Sequence, residues 1–198
     1  DTVTHIGTET FYSCGFVTVD LPHKISHIGE GAFYACTELT SITLPEKIEA
    51  IEKNMFSWCE SLAEITIPEN VKSIGDMSFS LCESLSDITL PESVSVIGSG
   101  AFFDCTSLKK VTIENPNCKI YDSEDTIPST AMIYCHENST AKNYINSYGM
   151  DYHIIGQPEY ILGDVSEDTL IDSVDASMLL AEYALMQTGK ESSLSEHQ

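Results

Sequence analysis

A period of 23 residues governs this chain. Four stretches align without a gap: "KISHIGEGAFYACTELTSITLP" (24–45), "KIEAIEKNMFSWCESLAEITIP" (47–68), "NVKSIGDMSFSLCESLSDITLP" (70–91) and "SVSVIGSGAFFDCTSLKKVTIE" (93–114). A shorter copy, "THIGTETFYSCGFVTVDLP" (4–22), precedes them, so five copies are visible. Four columns repeat in the aligned copies: Ile28/Ile51/Ile74/Ile97, Phe33/Phe56/Phe79/Phe102, Cys36/Cys59/Cys82/Cys105 and Leu39/Leu62/Leu85/Leu108. A unit this short cannot bury its own apolar face. Stacking gives each apolar side chain its equivalent in the next copy as a neighbour, and the core becomes continuous along one axis.

Each copy ends in a period-2 segment: Ile42-Thr43-Leu44, Ile65-Thr66-Ile67, Ile88-Thr89-Leu90 and Val111-Thr112-Ile113. Alternating β-formers predict a strand with one face inward, and the proline after Leu44, Ile67 and Leu90 stops it. The "IGxxAF" stretch reads as a turn leading into a short helical or 3₁₀ piece whose phenylalanine packs back on the sheet. Together these predict an α/β solenoid of parallel short strands. Thr43, Thr66, Thr89 and Thr112 form an outward column beside Ser41, Glu64, Asp87 and Lys110; threonine there suits any exposed strand, and a binding surface is the alternative. No aromatic stripe supports a sugar platform on that face. Trp58 is expected in the core or packed on a turn.

Seven cysteines invite a disulfide reading, but four of them recur at one repeat position. Buried small hydrophobes in a stacked column explain them better, and no CxxC or HxxxH spacing suggests zinc. With 31 acidic residues against 9 basic ones, the net charge is −22. That argues against nucleic acid and anionic membrane surfaces, and leaves divalent cations as natural counter-ions. No run of about 18 apolar residues crosses a membrane. No signal peptide opens the chain, and a start at Asp1 inside the pattern is expected of a mature fragment. His5, His23, His27, His136, His153 and His197 are scattered, with His5 and His27 merely equivalent in adjacent copies. No catalytic constellation is present, and the chain is read as non-enzymatic.

After residue 114 the rhythm breaks. The stretch 115–155 keeps Cys118 and Cys135 and predicts short strands near 118–121 and 131–135. A helix follows from Ser139 or Thr140, with Ala141, Tyr144, Ile145 and Tyr148 on one face, and Gly149 stops it. This segment is expected to cap the exposed end of the core. Asn138-Ser139-Thr140 matches a glycosylation acceptor, though the hydroxyls serve equally well as a helix cap.

The pattern "I-G-x-x-x-F-x-x-C-x-x-L-x-x-I-x-[LI]-P" resembles the BspA-like leucine-rich repeat family of bacterial surface and secreted proteins. "IYCHENSTAKNYINSYG" is similar to the closing segment of such domains. The resemblance covers 1–155 and implies adhesion or ligand binding at a cell surface.

Beyond a linker at 156–162, "GDVSEDTLIDSVDAS" (163–177) spaces oxygen donors as a calcium loop does: Asp164, Ser166, Asp168, the Leu170 carbonyl, Asp172 and Asp175. Thr169 stands where an EF-hand has glycine, Asp175 where it has glutamate, and no entering helix precedes. The alternative is an acidic loop whose Asp172 or Asp175 caps the helix 175–189. "GDVSEDTLIDSVDASMLLAEYALMQTG" resembles the first calcium loop and helix of a ruminococcal-type dockerin. That resemblance implies calcium on the six residues named, and a cohesin partner met by Ser173, Val174, Leu180, Ala181 and Leu185. Dockerins usually carry two such segments. Here 163–198 supplies the first half and "KESSLSEHQ" reads as the lead-in to a second. The implied function is a non-catalytic, secreted cellulosomal component that recognises protein or carbohydrate through its repeats. A cell-surface adhesion protein and an accessory or inhibitor domain are the alternatives.

Overall fold

The structure, a computed structural model, describes residues 2–157. Residues to Ile155 form one unit. Its strands are β1 (His5–Ile6), β2 (Thr18–Asp20), β3 (His27–Ile28), β4 (Ser41–Thr43), β5 (Ala50–Ile51), β6 (Glu64–Thr66), β7 (Ser73–Ile74), β8 (Asp87–Leu90), β9 (Val96–Ile97), β10 (Lys110–Ile113), β11 (Lys119–Ile120) and β12 (Met132–Cys135). Helix α1 (Ala141–Tyr148) and β13 (Tyr152–Ile154) follow. Every pairing is parallel and joins equivalent positions of adjacent copies, as in Ile42 with Ile65 and Ile74 with Ile97.

Two ladders result. The long-strand ladder runs β2-β4-β6 and then β8-β10-β12-β13. The short-strand ladder runs β1-β3 and then β5-β7-β9-β11. Its interruption between β3 and β5 coincides with a sequence change. Gly7, Gly29, Gly75 and Gly98 occupy one column, and Glu52 replaces the glycine in the third aligned position. A Cβ on Gly29 or Gly75 would stand 2.6 or 2.7 Å from the previous copy's backbone nitrogen. A side chain at 52 therefore cannot approach the copy before it closely enough to pair.

The expected α/β solenoid is overturned: this is a parallel β-solenoid, and among the described residues α1 is the single helix. The reason lies in the stretch from the glycine column to the cysteine. Each copy places two residues there with left-handed backbone, the pairs Glu9/Ser13, Gly31/Ala35, Asn54/Trp58, Met77/Leu81 and Gly100/Asp104. A helix cannot propagate through them. Their N–H groups point along the solenoid axis instead. Ala35, Trp58 and Leu81 donate to the carbonyls of Ser57, Ser80 and Phe103 at 2.7–2.8 Å. These inter-copy turn rungs make a third side of the solenoid.

Inside, Phe11, Phe33, Phe56, Phe79 and Phe102 stack with centroids 5.3–5.5 Å apart. Six of the seven cysteines are buried, and none is bonded to another. Cys36, Cys59, Cys82 and Cys105 each donate S–H to the phenylalanine carbonyl of the preceding copy, at 3.0–3.2 Å. The column thus needs a residue both small and capable of donating, which cysteine supplies. At the other end α1 covers the core with Ala141, Tyr144 and Ile145. Ser139 Oγ accepts from the Ala141 N–H at 3.1 Å, and Gly149 closes the helix with φ +64°. No helix among the described residues is long and apolar enough to cross a membrane.

Candidate functional site

The long-strand ladder carries the residues most available to a partner. Along one outward column the register sets Asp20 beside Thr43 and Thr43 beside Thr66. The same column continues through Thr89, Thr112, Tyr134 and His153. The adjacent column holds Thr18, Ser41 and Glu64, then Asp87 and Lys110. Thr43, Thr66 and Thr89 are exposed as expected, but Thr112 is only 9% exposed, with Tyr134 rather than another threonine beside it in register.

Tyr134 is the residue that sequence reading missed. Its signal was present: laying "MIYC" (132–135) on "KVTI" (110–113) puts it in the threonine column, but the broken spacing after 114 hid the alignment. Lys110 Nζ lies 4.0 Å from the centre of the Tyr134 ring, and the His153 ring is 5.0 Å away on the next strand. The face therefore changes chemistry along its length, from hydroxyls and carboxylates to a cation held on aromatic rings.

Where the strands end, acidic residues recur. Glu69, Glu92, Asp87 and Glu114 line a cleft of 530 Å³ with Thr66 and Thr89. Glu92 and Glu114 also line its neighbour of 610 Å³, with His136 and Glu137. His136 Nε2 stands 3.7 Å from a Glu114 carboxylate oxygen.

On the turn side Tyr12 and Tyr34 stack at 5.4 Å, nearly parallel. Trp58, expected in the core or packed on a turn, sits on the turn side and is 43% exposed, its left-handed backbone turning it away from the core. His5 and His27 are register partners with rings 6.0 Å apart, as their equivalence implied.

Burial pushes the thiols of Cys105 and Cys118 up to about 12, and those of Cys59 and Cys82 upward as well, so these four stay protonated near neutral pH. Among the described residues no three His, Cys, Asp or Glu side chains converge to hold a metal. The expected calcium ligands Asp164, Ser166, Asp168, Leu170, Asp172 and Asp175 lie outside the described residues. So do Ser173, Val174, Leu180, Ala181 and Leu185, expected to meet a cohesin.

The profile of the BspA type leucine rich repeat region matches residues 4–124 in six copies. The match runs past residue 114, where the last copy read from the sequence ends, and covers β11, which continues the short-strand ladder. A leucine-rich repeat protein of T. pallidum shares 30% identity over 76% of this chain and 79% of its own, with a TM-score of 0.57. A leucine rich cell surface protein of Faecalibacterium prausnitzii shares 33% identity over 64% of this chain, at a TM-score of 0.55. The match spans only 32% of that longer protein. A pneumococcal vaccine antigen shares the fold at 17% identity and a TM-score of 0.51. No curated protein matches the chain.

Proposed function

Because this chain belongs to the BspA-type leucine-rich repeat family, we propose that it is a recognition domain displayed outside the cell, binding another protein through the outer face of its long-strand ladder. It is a non-catalytic repeat scaffold. The observation that carries the reading is the outward column Asp20, Thr43 and Thr66 on β2-β4-β6, taken up again by Thr89 on β8 and flanked by Ser41, Glu64 and Asp87. An extended polar platform with carboxylates at its edge and an aromatic at one end has the make-up of a protein interface: charge for orientation, an aromatic anchor for affinity. The relative from F. prausnitzii, described as a cell surface protein, supports the location. Protein is favoured over polysaccharide by the state of the ring at the end of this face. Lys110 Nζ lies 4.0 Å from the centre of the Tyr134 ring, so that ring face is not open to stack on a sugar.

The test is photocrosslinking. A photoreactive group at Thr66 or Thr89 should capture a surface protein of a neighbouring cell, and one at Glu83, outside the long-strand ladder, should not. Capture from Glu83 alone would place the interface elsewhere.

The finer proposal concerns 163–198. The oxygen spacing of Asp164, Ser166, Asp168, Leu170, Asp172 and Asp175 supports a calcium loop. Calcium there would order the segment that carries Ser173, Val174, Leu180, Ala181 and Leu185 toward a cohesin of a scaffoldin, making the chain a secreted cellulosomal component. Calorimetry of the full chain should show one calcium site, lost in Asp164→Ala/Asp168→Ala. A titration without heat in the parent chain would remove both the calcium and the cohesin readings, and leave the repeat-face reading intact.

A further inference from the structure

The turn rungs run through the first copies without exception at one position. The N–H groups of Ser13, Ala35, Trp58 and Leu81 each donate to the carbonyl one copy ahead, at Tyr34, Ser57, Ser80 and Phe103, over 2.7–2.8 Å. Asp104 is next in the series and has the same left-handed backbone, φ +54°. No carbonyl among the described residues accepts its N–H. The chain departs from the repeat here: the loop 121–130 inserts, and it supplies one rung only, the Thr126 carbonyl accepting from Phe102 at 3.0 Å.

A cleft of 420 Å³ occupies this place, within the size range of pockets that hold small ligands or single side chains. Phe103, Asp104, Glu124, Asp125 and Tyr148 are among the residues lining it, and none of the described lining residues is basic. The far wall is fixed. Tyr144 Oη donates to the Ser123 carbonyl at 2.9 Å and accepts from the Ile127 N–H at 3.1 Å, while Tyr148 Oη donates to Asp122 at 2.8 Å. A wall held this way need not be ordered when a ligand enters.

We propose that this cleft receives a lysine- or arginine-bearing peptide segment of a partner protein, whose backbone carbonyl takes the open Asp104 N–H and whose cationic side chain meets Asp104, Glu124 and Asp125. The backbone donor recognises extended polypeptide as a strand edge does. The three carboxylates select positive charge, and the Phe103 and Tyr148 rings can face a guanidinium. A neutral sugar would satisfy the donor but leave the carboxylates without a counter-charge. The site is separate from the long-strand face and does not rest on the reading proposed for it.

The experiment is an amide-resolved NMR titration of the full ¹⁵N-labelled chain with acetyl-Ala-Arg-Ala-amide, with the Glu tripeptide and glucose as comparisons. The arginine peptide should move the Asp104 amide downfield, saturably, together with Thr106, Glu124 and Asp125, while Thr66 and Thr89 stay still. The Glu peptide and glucose should move none of them. Asp104→Asn/Glu124→Gln/Asp125→Asn should weaken binding roughly tenfold while leaving the backbone donor in place. The proposal is overturned if the Asp104 amide does not move, if Glu69 and Glu92 respond equally (diffuse attraction to an acidic surface), or if glucose reproduces the shifts. Should the triple variant fail to fold, the contrast between the two peptides on the parent chain decides alone.

Discussion

Gly75→Ala should split the stack. An ideal Cβ at Gly75 lies 2.7 Å from the Lys53 amide nitrogen, 2.8 Å from the Glu52 carbonyl carbon and 2.8 Å from the Ile51 oxygen. All three are backbone atoms and cannot swing aside, so the two copies must separate by several tenths of an ångström. Overpacking of this kind costs about 1–3 kcal/mol. Separation also stretches two ladder bonds, Gly75 N–H to Ile51 and Lys72 N–H to Glu49, both 2.8 Å. At about 1 kcal/mol each they bring the loss to about 3–5 kcal/mol. The lower backbone entropy of unfolded alanine returns about 0.4–1 kcal/mol. A net loss of about 2–4 kcal/mol remains, or a drop in Tm of about 5–15 °C for a domain of this size. Urea melts followed by far-UV circular dichroism measure it, and hydrogen exchange should show faster exchange at Lys72 and Gly75. Gly15→Ala is the control, since its added Cβ meets nothing nearer than 3.9 Å and should be close to neutral. The chain contains the converse case. Glu52→Gly should allow β3 to pair with β5 and newly protect the Glu49 amide. If Gly75→Ala proved as harmless as Gly15→Ala, the explanation of the ladder's interruption by Glu52 would fall with it.

Two further outcomes follow from groups buried near the core and the cap. Burial raises the thiols of Cys36, Cys59, Cys82, Cys105, Cys118 and Cys135 above their ordinary value of 9.0, so the unfolded chain loses these protons first. Above about pH 9 the unfolded state binds fewer protons than the folded one; stability should hold below that pH and fall steadily toward pH 12, read from urea midpoints across the range. Tyr144→Phe removes both the donor to Ser123 and the acceptor for the buried Ile127 N–H, which should cost about 1–3 kcal/mol. Tyr148→Phe, whose bond to Asp122 is exposed, should cost about 0.5 kcal/mol or less in the same melts.

What the sequence disclosed and what it hid divide along physical lines. The columns of isoleucine, phenylalanine, cysteine and leucine were legible because stacking forces equivalent residues to share one environment, and the period writes that environment out repeatedly. The helix at Ala141–Tyr148 was legible from its apolar spacing and the Gly149 stop. The turn side was not. Left-handed backbone at Ala35, Trp58, Leu81 and Asp104 has no residue signature, since only Gly31 and Gly100 among these turn positions are glycines. What holds those residues there is the rung to the next copy, an interaction between segments about 22 residues apart that local propensity does not encode. The exposure of Trp58 was hidden for the same reason. Tyr134 escaped because the inserted loop shifted the count, and register is recovered only once β10 and β12 are seen paired.

The turn rungs all run one way. From Glu9 to Leu81 the N–H groups of one copy face the carbonyls of the following copy, and never the reverse. The turn side is therefore polar along the axis, with its donors aimed at later copies. On the ladder sides the bonds outside the strands run the other way, as from Ala63 to Thr40 and from Gly75 to Ile51. The polarity of the turn side is thus met by an opposite one across the core, and the stack as a whole carries no single donor direction.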